Sequence, residues 1–404
     1  MNKIYILMFL AVNTFFTLLE CDGSCDCCEE CLYYFRNKKE NGKEPFVKEN
    51  FEETKNENEK ESFVKEIFGE TKDEIVVLEN GNNNNNNNNN TLSQIFSFLE
   101  GKDKEYSKEQ NNSLMKQDKT FTEPETQATI EFSKNNMPKV TLKSFSFMVL
   151  LLPKKSIDED SVKRDASLTS DLNKIEHFVK IYGFYKYSEY FFICLEDTSN
   201  FKDFNTYLEE KNVADKVFKQ LFDTLKQLRE SKIVKNFSHI FYPYIDDSSG
   251  TVSLKILAPI FSFKIEGDTP EDFFNLFKNK YSKIFRTSPQ LKKHILENNL
   301  TEDYNPFNED LFFVGIYLYV LKNKKYPAFI NSVNLNVVLT ILDTEKFKKT
   351  LKEDITNFNN YFDSDDYKNH EGELYNKIFL KFKDKNDNSI IDIDEFIEKL
   401  NTNN

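Results

Sequence analysis

An unbroken run of nine asparagines, Asn82–Asn90, lies within the first of two kinds of sequence in this chain. From Tyr33 to Glu125 the residues are mostly Glu, Lys and Asn. From about Ala128 onward, aromatic and β-branched residues dominate. An asparagine tract has no apolar surface whose burial would offset the entropy of ordering its backbone. Residues 32–125 are therefore expected to be a low-complexity, disordered extension, and residues 126–404 to hold the folded domain. Two short apolar pieces, Ile75–Leu78 and Leu92–Leu99, have the composition of a docking strand and helix, but a solvated linker is the simpler expectation. Phe46–Lys55 recurs imperfectly as Phe63–Lys72. Two copies are too few for a solenoid.

The first 20 residues read as a signal peptide. Lys3 supplies the positive start and Ile4–Leu19 the apolar run, which is short for a membrane span of roughly 20 residues. This predicts entry into the secretory pathway, either to be secreted or to remain in a secretory organelle, with no span left after cleavage; an uncleaved anchor is the alternative reading of the same run. Residues 21–31 form a cysteine cluster: Cys21, Cys25, Cys27, Cys28 and Cys31. In an oxidising compartment these are expected to form disulfides, within the cluster or to another chain. A zinc site fits less well, because no histidine lies nearby. Cys194 stands alone in an apolar run and reads as a buried core thiol. The net charge of −13 argues against general nucleic-acid affinity and against anionic membranes.

Beyond residue 128 the periodicities place elements in order. Val140–Leu152 reads as one or two strands, and Asp158–Ile175 carries apolar residues at helical spacing. Val179–Tyr187 and Tyr190–Leu195 read as a hairpin turning near Lys186–Glu189. Phe201–Glu209 and Asp215–Arg229 read as helices. Phe241–Ile245 and Thr251–Leu257 read as strands joined by a turn at Asp246–Gly250. Everything after Pro270 is helical in character. Strands first and helices later give an α+β class.

Several stretches in this order resemble the protein kinase fold. Ile175–Gly183 resembles the segment that leaves helix C and enters the fourth kinase strand. Tyr190–Asp197 resembles the fifth strand running into the hinge. Val217, Phe218, Leu221, Phe222, Leu225 and Leu228 share one face, as in helix E. Lys232–His239 has the outline of the catalytic loop, and Gly250–Leu257 that of the strand pair before the metal-binding triplet. Asp310–Leu321 resembles the helix F signature D-x-W-S-L-G-x-x-L-Y-x-L, followed by Lys324–Phe329 matching G-x-x-P-F. The resemblance covers roughly residues 140–400. It implies a two-lobed fold with a small, mainly β N-lobe and a helical C-lobe.

The departures from that family fall on its chemistry. Phosphoryl transfer needs a lysine on the phosphates, carboxylates on Mg²⁺ and a base for the nucleophile. The phosphate lysine aligns with Leu150 and the catalytic aspartate with Phe237. His239 stands for the loop lysine and Tyr242 for the metal-ligating asparagine. The Asp-Phe-Gly triplet aligns with Ala258-Pro259-Ile260, and Ala-Pro-Glu at best with Ser288-Pro289-Gln290. Phe132–Pro138 contains no glycine where a glycine-rich loop would lie, and the whole chain has only ten glycines. Leu168 falls about where the helix C glutamate belongs. The acids Asp246, Asp247 and Glu266 read as turn and surface carboxylates rather than a substitute metal site. The resemblance thus implies a catalytically inactive secreted pseudokinase, a protein-binding scaffold or allosteric partner of another protein. Its nearest analogy in plan is with the rhoptry-type pseudokinases of apicomplexan parasites. The contact surfaces it implies are the degraded nucleotide cleft, the region about Leu335–Phe358 and the N-terminal extension. The alternative within the same family is a divergent secretory-pathway kinase that still binds ATP.

No cofactor is expected from this reading, with calcium as the one exception raised by residues 384–395. Asp384, Asn386, Asn388, Asp392 and Glu395 occupy ligand positions 1, 3, 5, 9 and 12 of an EF-hand loop. Ser389 stands where the sharp turn wants glycine. The kinase resemblance explains the same residues as a turn leading into a last helix.

Overall fold

A computed structural model describes residues 57–68, 75–77, 87–108, 119–132, 137–154, 157, 159–203, 211–235, 242–247, 252–257, 262–265, 287–297, 305–323, 325–330, 344–383 and 391–402. Residues 1–20, expected to be a signal peptide, and the five clustered cysteines lie outside the described residues. The chain divides into two compact units, Met1–Ser170 with Lys180–Ser199, and Asp171–Val179 with Asn200–Asn404. The first is built mainly on a β-sheet and the second is mainly helical, as the α+β expectation requires.

The first unit contains α1 (Glu57–Phe68), β1 (Ile75–Val77), α2 (Asn87–Lys108), β2 (Lys119–Thr122), β3 (Thr129–Phe132), β4 (Lys139–Leu142) and β5 (Phe145–Pro153). Two short helices follow, α3 (Glu159–Ser167) and α4 (Thr169–Leu172), the latter running across the unit boundary at Ser170, and then β6 (Ile181–Tyr187) and β7 (Tyr190–Glu196). The sheet order is β1-β6-β7-β5-β4-β3-β2. Only β1 lies parallel to its neighbour, with Ile75 opposite Phe184. The expected hairpin is present: β6 and β7 pair antiparallel from Ile181 to Tyr187. Its two-residue turn starts at Ser188, with φ 46°. Positive φ at that position gives a turn whose twist matches the strands. The helical stretch expected over 158–175 is broken at Leu168, between α3 and α4.

Strand alternation sorts the sheet's side chains onto two faces. Phe145, Phe147 and Val149 of β5, Phe192 and Cys194 of β7, Tyr185 of β6 and Val140 of β4 join one buried cluster. Helices α1 and α2 cover that face with Ile67, Phe68, Leu92, Ile95, Phe96 and Leu99. Phe96 stacks on Phe192 with ring centroids 4.3 Å apart, and Phe68 meets Phe147 edge-on at 5.2 Å. Polar contacts finish the seam. Tyr190 donates to Asp103 at 2.7 Å and Ser188 to Glu100 at 2.9 Å. Cys194 is fully buried, as its apolar setting implied.

The expectation of a disordered extension over 32–125 therefore fails for its described parts. α1, β1, α2 and β2 all come from that stretch, and β2 pairs with β3 across the expected boundary at residue 126. Asn87–Asn90 form the first turn of α2. The apolar run Leu92–Leu99 docks on aromatic rings, and that burial orders a polar segment that composition alone leaves unfolded.

The second unit contains β8 (Lys202–Asp203), α5 (Lys211–Glu230), β9 (Ile233–Val234), β10 (Tyr242–Asp246), β11 (Ser253–Leu257) and β12 (Phe263–Lys264). The remaining elements are α6 (Pro289–Glu297), α7 (Phe307–Asn323), α8 (Thr344–Tyr361), α9 (Asp365–Asn369), α10 (Leu374–Lys383) and α11 (Asp394–Thr402). The helix expected over 201–209 is a correction. Lys202 and Asp203 pair with Ile245 and Tyr244 as an edge strand, and residues 204–210 lie outside the described ones. Tertiary pairing overrides a local pattern of this length.

Helix α7 runs through the middle of this unit and is buried along nearly its whole length. A Cβ on Gly315 would meet the Phe379 side chain at 2.9 Å and Ile378 at 3.0 Å, so α7 and α10 approach closely there. Phe312 meets Phe382 edge-on at 4.9 Å, and Phe329 meets Phe358 at 5.0 Å and Phe379 at 5.1 Å. The apolar face expected of Asp215–Arg229 is present in α5, where Val217, Leu221, Phe222, Leu225 and Leu228 are buried. Phe222 stacks on Phe396 of α11. A smaller cluster of Val234, Phe263, Leu291, Ile295 and Leu351 joins β9, β12, α6 and α8. Beside it, Lys292 of α6 pairs with Asp354 of α8 at 3.0 Å, both nearly inaccessible to solvent. Burial pushes the lysine's pKa down and the carboxyl's up. Among the described residues, no helix is long and apolar enough to cross a membrane.

Candidate functional site

The first turn of α7 carries three consecutive buried polar residues, Asn308, Glu309 and Asp310. Carboxylates suit that end of a helix, where backbone N–H groups point outward. Each of the three holds a different distant segment. Asp310 accepts a hydrogen bond from the backbone N of Lys235, just after β9, at 2.7 Å. Glu309 accepts from the Ser288 backbone N at 2.8 Å and from its hydroxyl at 2.5 Å. Ser288 in turn caps α6, its Oγ accepting from the Leu291 N at 3.1 Å, with Pro289 at the first helical position. Asn308 accepts from the Ile391 N at 3.1 Å, ahead of α11.

Two cations complete the hub. Lys235 is fully buried, and its Nζ donates to the Ser262 hydroxyl at 2.6 Å. Arg229, near the end of α5, donates to the Ile391 carbonyl at 2.5 Å. Burial pushes its pKa down to about 10, against the pull of Asp310 and Asp392. Lys232, with φ 57°, makes the reversal between α5 and β9. β9 pairs with β12, Val234 opposite Phe263 and Ile233 opposite Lys264. The arrangement fixes where segments enter and leave. It gathers donors and acceptors that satisfy one another.

Three of the residues that sequence aligned with kinase chemistry, Leu150, Leu168 and Tyr242, are among the described ones. Leu150 lies in β5 of the first unit, paired in register with Ile193 and half-buried. By strand alternation it is on the face opposite the one that α1 and α2 cover. Tyr242 opens β10, opposite Leu257 of β11. Phe237, His239 and Ala258 lie outside the described residues. Leu168 is a buried residue between α3 and α4, a hydrocarbon where a glutamate would pair. Asp246 sits in the β10–β11 ladder and Asp247 forms an ion pair with Lys202. Glu266 lies outside the described residues.

Of the five calcium-ligand candidates, Asp384, Asn386 and Asn388 lie outside the described residues. Asp392 accepts from the Asp394 N at 2.9 Å, a cap on α11, and Glu395 pairs with Lys381 at 2.5 Å. Lys226 pairs with Asp394 at 2.9 Å. Among the described residues, no group of three or more His, Cys, Asp or Glu side chains is placed to hold a metal.

Asp310 was visible in the sequence because it opens the helix F-like signature. Glu309 and Asn308 gave no such signal. Their roles depend on Ser288 and Ile391, which are 21 and 83 residues away.

No family model matches the chain. No curated protein matches it either. Among solved structures it is similar to the twitchin kinase region from C. elegans, at 13% identity and a TM-score of 0.40. The similarity covers 67% of this chain and 42% of that one, so the chain spans less than half of that structure's length. A likeness of this degree carries no argument about activity.

Proposed function

We propose that this chain is a catalytically inactive, kinase-like binding module that works by holding a protein partner. The observation that carries the reading is the Asp310–Lys235 hydrogen bond. It joins the helix F-like and catalytic-loop-like segments, which were matched independently in the sequence and lie 75 residues apart. Within that frame the reacting positions hold Leu150, Phe237, His239, Tyr242 and Ala258. A leucine has no charge for a phosphate, a phenyl ring accepts no proton, and alanine binds no Mg²⁺. The same reading takes Lys3 and the apolar run Ile4–Leu19 as a signal for secretion, and Cys21–Cys31 as disulfide-forming in that compartment.

The test is a thermal-shift titration of the secreted full chain with ATP, alone and with Mg²⁺, Mn²⁺ or Ca²⁺, run beside a phosphotransfer assay. A ligand that binds only the folded state raises the midpoint by mass action. The reading expects no nucleotide-dependent shift and no transfer. A Mg·ATP-dependent shift with transfer would overturn it in favour of a divergent kinase. A shift with Ca²⁺ alone would move the function to residues 384–395.

A further inference from the structure

We propose that Lys235 is a positioning residue, a buried lysine that locks β9 to β12 and keeps this site in one shape without a bound ligand. The inference rests on the ligand-free reading above and deepens it. Three observations meet at this one residue. The β9–β12 ladder spans only two residues on each strand, too short to hold by itself. Continuing its register by one step places Lys235 opposite Ser262, and the lysine Nζ crosses to that hydroxyl at 2.6 Å. The backbone N of the same lysine is held by the buried carboxylate of Asp310 at 2.7 Å. Lys235 thus ties the two strands to each other with its side chain and to α7 with its backbone.

Burying a lysine completely is costly, and an aliphatic residue would fill the same volume without that cost. The cost is understandable if the charge performs a task that an apolar residue cannot. In kinases the bound metal ions bridge the nucleotide's phosphate oxygens. Here a side chain of the protein itself bridges β9 and β12, so this contact needs no nucleotide or metal. The neighbouring cluster of Val234, Phe263, Leu291, Ile295 and Leu351 passes that geometry on to α6 and α8.

The test is native-state hydrogen exchange on the full chain, read at the amides of Ile233, Val234, Phe263 and Lys264 and compared with β6 and β7. Ser262→Ala removes the acceptor, and Ser262→Thr restores it. The proposal expects exchange at the four amides to rise about tenfold in Ser262→Ala and in Lys235→Met, with β6 and β7 unchanged and Ser262→Thr close to the natural chain. Should Lys235→Met fail to fold, the two Ser262 variants decide alone. Equal behaviour of Ser262→Ala and Ser262→Thr overturns the lock, as does a rise spread evenly over both units. Protection of these amides by Mg·ATP in the natural chain would count against the ligand-free reading. The Ser262 comparison would still judge the lock separately.

Discussion

In the first unit the space between sheet and helices is filled by rings and aliphatic chains, Phe68, Phe96, Phe147 and Phe192 among them, and the polar contacts are at the seam. Among the described residues the first unit buries three carboxylates, Glu100, Glu123 and Asp165, whereas the second buries lysines as well, Lys235 and Lys292 beside Glu309, Asp310 and Asp354, all at least nine-tenths buried. The difference teaches that the two units fail in different ways. Apolar burial scales with area and tolerates imperfect shape. A buried charge depends on one particular partner and leaves a large penalty when that partner goes. The first unit should therefore respond to loss of coverage, and the second to loss of pairing.

The largest expected effect sharpens the first half of that comparison. A chain cut at residue 126 loses α1, β1, α2 and β2, and bares the sheet face that carries Phe147, Phe192 and Tyr185. It should lose its cooperative thermal transition and bind a dye for exposed apolar surface. A milder version is Phe96→Ala in the full chain, expected to cost about 3–5 kcal/mol by urea denaturation. A truncated chain that melts cooperatively and binds no dye would show that the polar N-terminal stretch is dispensable, as its composition suggested.

The second half of the comparison is tested by the Lys292–Asp354 pair. Asp354→Leu alone leaves a buried ammonium without its carboxylate and should cost about 3–5 kcal/mol. Adding Lys292→Met to it should recover most of that loss, because two apolar side chains can fill the same space. Urea midpoints for the two single variants and the double variant give the coupling directly. Additive losses would mean that the two groups are stabilised by their surroundings and not by each other.

The same contrast explains what could be read from the sequence. The hairpin Ile181–Glu196, helix α5 and helix α7 were legible because their apolar periodicity is local. Cys194 was legible as a core thiol for the same reason. Helices α1 and α2 were not, because the rings that order them lie on β5, β6 and β7, up to about a hundred residues later in the chain. Lys202–Asp203 was misread as helical because its partner strand, β10, comes some forty residues later. Of the polar hub, Asp310, Lys235 and Ser288 belong to stretches with a recognisable pattern, and Ser262, Asn308 and Glu309 do not. The roles of Lys235, Ser262, Asn308 and Glu309 exist only once distant segments meet.

The smallest expected effect concerns a buried group that has no charged partner at contact. His177 is 4% exposed, and its Nδ1 has no hydrogen-bond partner. Burial pushes its pKa below the usual histidine value. The opposing influences are Glu176, the Leu254 backbone and Asp223, while Lys255 adds to the depression. The folded protein therefore holds the ring neutral, and the unfolded chain takes up a proton first as the pH falls through about 6.5. Below that value the unfolded state binds more protons, so stability declines with falling pH until the folded ring is itself protonated. One proton limits the slope to about 1.4 kcal/mol per pH unit. Urea midpoints from pH 8 to pH 5 should fall in the natural chain and fall less in His177→Gln. If the two chains lose stability in parallel, the incoming proton finds an acceptor, and the acid sensitivity of the second unit comes from its buried carboxylates instead.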